Sequence, residues 1–178
     1  MRHLVTVGGL VLCLASTAAA QDRPRADLFA GYSLVRSDGA SLHGGEATFA
    51  YPFSNLLAAV LDVDSHSRTV EGVEHRTSGL FGGVRAGFRA GGARPFLHVL
   101  AGAVRDEDSI TVFSNTISER HTSFGGAAGG GLDFGGGRFG ARVQADYRVS
   151  RRTAADGTKE THGDPRFSAG VVFRMGKR

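Results

Sequence analysis

The chain has 178 residues, with 21 Lys plus Arg against 17 Asp plus Glu and a formal net charge of +4. That basic excess is mild and spread along the sequence, so no nucleic-acid partner is implied. The one cysteine, Cys13, falls in an apolar N-terminal run, so the remainder must hold itself together without disulfides.

Residues 1–20 read as a cleavable signal peptide. Met1, Arg2 and His3 form a short basic region, an apolar run follows from Leu4 to Ala15, and Ala18 and Ala20 stand in an A-x-A arrangement. Cleavage there leaves 21–178 as one domain. No later apolar run is long enough for a helix to cross a bilayer.

From residue 21 onward, alternation of apolar and polar residues predicts eight strands, near 25–36, 42–53, 55–64, 77–89, 94–105, 121–134, 138–150 and 165–175. Strand three carries Leu57, Ala59, Leu61 and Val63 on one face, and strand four Leu80, Val84, Ala86 and Phe88. Strand five is two-faced: Phe96, His98, Leu100 and Leu97, Val99, Ala101 each make an apolar row. Strand seven, FGARVQADYRVS, sets Phe139, Ala141, Val143, Ala145, Tyr147 and Val149 against Gly140, Arg142, Gln144, Asp146, Arg148 and Ser150. Strand eight ends on Phe167, Ala169, Val171 and Phe173. Most of these segments reach the ~9–11 residues that span a bilayer when tilted.

The connections alternate in length. Short ones lie at 53–55, 89–94 and 135–137; longer polar ones, read as loops, lie at 65–76, 106–120 and 151–164. Short turns at one end and long loops at the other describe an up-and-down antiparallel barrel with unequal rims.

Alternation alone leaves the facing open, since a lipocalin-like barrel would put its apolar row inside. Two features favour the inverse. Small residues (Gly79, Gly83, Gly87, Gly125, Ala127, Gly129, Gly131, Gly170) stud the polar row, as a narrow lumen requires. Aromatics (Tyr51, Phe53, Phe88, Phe96, Phe134, Phe139, Phe173) collect near the short-turn rim like a membrane girdle. Basic residues are nearly all arginine, lysine occurring only at 159 and 177, and arginine suits enclosed pairs.

With its leader, eight amphipathic strands, the opening ADLFAGYSLVR and the closing FSAGVVF, the whole mature sequence resembles the small outer-membrane β-barrels of the OmpA/OmpX-like eight-stranded type. The resemblance implies an all-β transmembrane barrel in the outer membrane of a diderm bacterium, reached through the periplasm. It implies outer-membrane lipid and the barrel-assembly machinery as partners. Phe167, Ala169, Val171 and Phe173 match the assembly signal of that family's last strand.

An eight-stranded lumen is just wide enough to be filled by side chains. Glu46, Asp62, Asp133 and Asp146 are therefore expected to neutralise Arg85, Arg89, Arg142 and Arg148 within it, as a structural core rather than a gated pore. His43, His66, His75, His121 and His162 fall at the long-loop rim with Asp64, Asp106, Asp108 and Asp164. Imidazoles and carboxylates can bind metal or run hydrolysis, but no tight ligand spacing appears. GGAAGGG at 125–131 lacks the Lys-Ser/Thr of a phosphate loop. The expectation is a non-enzymatic barrel without cofactor, acting structurally or through its loops. A barrel enzyme with a His/Asp rim and a soluble ligand-binding barrel are the alternatives.

Overall fold

A computed structural model describes residues 26–37, 39–70, 73–112, 115–153 and 159–175. The leader expected at 1–20 lies outside them. Eight strands run β1 (Ala26–Ser37), β2 (Ala40–Pro52), β3 (Leu57–Val70), β4 (Val73–Gly87), β5 (Ala93–Val112), β6 (Asn115–Phe134), β7 (Phe139–Thr153) and β8 (Lys159–Met175). Each pairs antiparallel with the next, and β1 also pairs with β8, which closes the barrel. Closure leaves no bare ladder edge across the part that lies in lipid, the condition for strands to cross a bilayer.

The alternation sorts cleanly into two surfaces. Along β7, Ala141, Val143, Ala145, Tyr147 and Val149 point outward, while Arg142, Gln144, Asp146, Arg148 and Ser150 are buried. Leu61, Val63, Leu80, Val84, Leu97, Val99, Leu132 and Val171 extend the outward row around the wall. A continuous apolar belt of this extent is foreign to a water-soluble monomer and suits lipid. The lipocalin-like arrangement is inverted.

Strand five resolves as Leu97, Val99 and Ala101 outward, with Phe96, His98 and Leu100 inward. Phe96 is therefore not part of the girdle: it is 6% exposed. Gly131, its cross-strand neighbour on β6, gives the ring room inside the barrel, since a side chain there would strike the ring. Tyr51, Phe53, Phe88, Phe134 and Phe139 are exposed at the short-turn end, and Phe173 packs its ring 5.1 Å from that of Phe139. Gly91 and Gly135 turn the chain there with positive φ of 61° and 95°, a region that favours glycine.

The long polar connections read as loops at 65–76, 106–120 and 151–164 are mostly ladder. β3 and β4 stay paired to Val70–Val73, β5 and β6 to Val112–Asn115, and β7 and β8 to Thr153–Lys159. Beyond the apolar belt both sheet faces can be wet, so a strand there loses the oily row that marks it in sequence. β6 climbs furthest alone: its pairing with β7 stops at Phe124–Arg151, and Asn115–Ser123 pair only with β5 among the described residues.

The facing sets a test. Ala145→Arg puts a charge on the lipid side of β7 and should cost about 2–4 kcal/mol near the bilayer midplane. Urea unfolding in lipid vesicles measures it, and an unchanged midpoint would contradict the outward facing.

Candidate functional site

Among the described residues, chemistry-bearing side chains converge in the interior. Five arginines (Arg85, Arg142, Arg148, Arg166, Arg174) and five carboxylates (Glu46, Asp62, Asp64, Asp133, Asp146) are buried there. They divide into two layers, built largely from residues that the ladder register already sets side by side.

The central layer surrounds Arg166 on β8, which is fully buried. Its guanidinium donates to Asp62 at 3.0 Å, Asp64 at 2.7 Å and Asp146 at 2.8 Å, and lies 3.7 Å from Glu46. Asp146 is the direct cross-strand neighbour of Arg166, and Glu46 that of Asp64. Asp64 also accepts from Arg148 at 3.1 Å, and Thr48 donates to Asp62 at 2.9 Å. Gln144 and Ser168 each donate to Glu46 at 2.5 Å, and the Ser33 hydroxyl lies 2.9 Å from that of Ser168, to which it can donate. His98 Nε2 meets Asp146 at 2.6 Å from two strands away. Gly129 lies between them in the ladder, and a side chain there would strike the Asp146 carboxylate.

The second layer sits toward the short turns. Arg142, also fully buried, grips Asp133 through two bonds of 2.6 and 2.9 Å and reaches Asp27 at 3.0 Å. Arg85 donates to Asp27 at 3.2 Å. Arg85 and Arg142 lie over the Phe96 ring at 4.4 and 4.8 Å, a cation–π use of an aromatic that left the outer wall. Arg174 closes the end by donating to the Gly135 carbonyl at 2.8 Å.

Of the sequence-derived lumen residues, Glu46, Asp62, Arg85, Asp133, Arg142, Asp146 and Arg148 lie inside. Arg89 does not: β4 ends at Gly87, and Arg89 is exposed in the turn that follows. Strand parity no longer governs facing once the ladder stops. Arg166, Asp64, Asp27, His98 and Arg174 were missed. Arg166 and Arg174 lie within the predicted strand 165–175 and could have been found by reading its second row, since their neighbours Phe167 and Phe173 stand in the apolar one.

The rim residues scatter. His66 and Asp64 belong to the interior, with His66 Nδ1 3.4 Å from Asp64. His43 faces outward and hydrogen-bonds Tyr32, and His121 is exposed. His75, Asp106 and Asp164 help to line a cavity of about 440 Å³ above the central layer, with Arg148 in its wall. Thr77 donates to Asp106 at 2.8 Å there. The Asp108 side chain lies outside the described residues. No group of three or more His, Cys, Asp or Glu among the described residues is placed to hold a metal.

A closed eight-stranded antiparallel barrel, apolar without and charged within, is the fold of the small outer-membrane barrels. Solved structures of that class are similar to this chain. The attachment invasion locus protein Ail of Yersinia pestis is 23% identical with a TM-score of 0.53, over 84% of this chain and 97% of that one. Neisserial surface protein A is 15% identical with a TM-score of 0.59, over 85% and 96%. The N-terminal barrel of Pseudomonas aeruginosa OprF is 15% identical with a TM-score of 0.50, over 84% and 97%. No family model matches the sequence, and no curated protein does.

The two layers should respond differently to mutation. Arg142→Leu strands Asp133 and should cost about 3–5 kcal/mol, much of it recovered by adding Asp133→Leu. Arg166→Met should cost at least as much, with no single carboxylate replacement restoring it, because its charge is shared among Asp62, Asp64, Asp146 and Glu46. Urea midpoints in vesicles decide both. A silent Arg142→Leu would mean that the layer is not a closed ion-pair system.

Proposed function

We propose that the protein is an integral outer-membrane barrel, exported after cleavage of residues 1–20, with no enzymatic activity. Its charged interior serves as a structural core rather than a conduit, and its function is surface contact through the long hairpins. The observation that carries the reading is the reversal of polarity: outward apolar belt, inward arginines and carboxylates bonded to one another. A pore would need a continuous free path, but Arg166 and Arg142 each fill a layer with bonds to several strands. The lumen ion pairs are thus assigned to stability.

The outward alternation of Phe167, Ala169 and Val171 on β8, followed by half-buried Phe173, supports recognition of this strand by the barrel-assembly machinery. The surface role draws on the β3–β6 hairpins, which continue as ladder past the apolar belt and, among the described residues, leave β6 paired with β5 alone from Asn115 to Ser123. Such an edge offers backbone donors and acceptors to an extended partner.

Fractionation of the envelope, with gel mobility before and after boiling, tests the location. The protein should appear in the outer-membrane fraction, beginning at Gln21, and migrate differently when unfolded. In planar bilayers it should show no large, steady conductance, because the two layers close the lumen. Reproducible porin-sized channels would overturn the structural assignment of the interior, and recovery in the soluble periplasm would overturn the membrane reading.

A further inference from the structure

The interior layer nearest the short turns is not balanced as a set of charges. Arg85, Arg142 and Arg174 are exposed by only 6%, 0% and 3%. Arg94 on β5 lies two positions before inward Phe96, and is half-buried beside Asp133 in the ladder. Against these four guanidinium groups stand Asp27 and Asp133, the only carboxylates at this end among the described residues. The layer therefore holds two positive charges beyond what its carboxylates match.

The bonding shows where that excess is directed. Arg85 and Arg142 converge on one oxygen, Oδ1 of Asp27, at 3.2 and 3.0 Å. Asp133 accepts two bonds from Arg142, and Arg174 Nη2 stays 4.0 Å from it. Arg174 Nη1 donates to the carbonyls of Gly135 and Gly137, which carry no net charge. Arg85 Nε and Nη2, Arg142 Nη1, and Arg174 Nε and Nη2 are buried without an acceptor among the described residues. A buried donor left without an acceptor is costly, and a charged one more so. The carboxylates of the central layer are screened from these donors. Phe29 follows Asp27 by two positions on β1, and Phe96 precedes His98 by two on β5, so both rings lie between the layers. The Arg142 guanidinium lies over them at 5.1 and 4.8 Å.

We infer that Arg85, Arg94, Arg142 and Arg174 form a binding site for a small free oxyanion of the phosphate class, entered from the short-turn end. Two unmatched charges suit a dianion, and guanidinium edges pair with its oxygens through parallel bonds. Entry is past Arg94 and Asp27, the partly exposed members of the layer. Arg89 and Arg138 add exposed positive charge at the same rim, which draws an anion toward the mouth. The ion completes the layer and goes no further, because Phe29, Phe96 and the Arg166 hub fill the lumen beyond it. The charge count is the same whatever surrounds the barrel, so the site does not depend on the membrane reading.

The test uses the refolded protein in a non-ionic, phosphate-free detergent, with folding verified by gel mobility before and after boiling. Inorganic phosphate is titrated in calorimetrically, with sodium chloride at matched ionic strength as the reference. One phosphate should bind per barrel, and saturating phosphate should raise the urea midpoint where chloride does not. Arg174→Gln should weaken binding at least about tenfold, as loss of a charged donor does. Arg94 makes no side-chain hydrogen bond among the described residues, so Arg94→Gln probes the same site even if the Arg174 variant fails to fold. It should weaken binding by about threefold or more. Arg36→Gln, exposed on β1 at the opposite end, should leave binding unchanged. Absence of phosphate binding by the folded parent, or undiminished binding by Arg94→Gln, overturns the proposal. So does an equal loss in Arg36→Gln, which would mark general attraction of anions to a basic protein. A preference for dispersed short-chain phosphatidic acid over inorganic phosphate would place the site on the outer wall and overturn it too.

Discussion

Arg166 sits among Asp62, Asp64, Asp146 and Glu46 in a space with no bulk water to dilute the charge, and the barrel's construction follows from that enclosure. Eight strands leave an interior just wide enough for side chains. The outer wall is apolar, and the apolar cluster buried inside it (Ala50, Val60, Phe81, Leu100, Val104 and Ala127) is small. What remains is a polar interior whose members must satisfy one another, since an unpaired buried ion costs several kcal/mol. The two layers meet this requirement in different ways. Arg142 and Asp133 are a cross-strand, two-bonded pair, whereas Arg166 is a hub whose partners come from β2, β3 and β7. The hub ties together strands that do not neighbour one another, which backbone ladders cannot do.

This arrangement also fixes register. A slip of one residue between β7 and β8 would turn Arg166 and Arg174 toward lipid and Phe167 and Val171 into the lumen. Both halves of that exchange are costly, one by placing charge in hydrocarbon and the other by leaving Asp146 without its neighbour. Glycine supplies the room: opposite the Phe96 ring it is Gly131, and between His98 and Asp146 it is Gly129. The abundance of glycine inside amphipathic strands, which would weaken an ordinary sheet, is thus a consequence of a crowded charged interior.

The sequence was most legible where lipid and lumen differ most. Strand seven, with an unbroken alternation from Phe139 to Val149, gives facing and charge together, and seven of the expected interior charges lie inside. Legibility failed where that contrast fades. Strand five has an apolar row on each side because Phe96 serves as a platform for Arg85 and Arg142, a use that composition cannot distinguish from a girdle position. Arg89 keeps the parity of Arg85, but parity has no force past the last ladder pair. The polar segments after Asp64 and Arg105 read as loops because a strand wet on both faces has no oily row. Their continuation as hairpins is a property of pairing, which one strand's sequence does not display. His66 was lost to the rim for the same reason, because the strand that carries it inward was ended at 64, and Asp64, the last residue of that strand, was grouped with the rim beside it.

The molecule therefore divides into two regimes along one set of strands. Within the apolar belt the chain is constrained from both sides, by lipid outside and by mutual charge satisfaction inside, and a substitution on either face has an immediate cost. Above it, β3 to β8 continue with neither constraint, and the β6 segment from Asn115 to Ser123 pairs only with β5 among the described residues. An open edge invites indiscriminate pairing unless its residues discourage it. Here the edge carries polar and charged residues, with Arg120 and His121 both exposed, and no run of apolar residues to drive self-association. An edge of this composition can take an extended partner that supplies matching charge while resisting its own copies, which is the selectivity that the proposed surface contact demands.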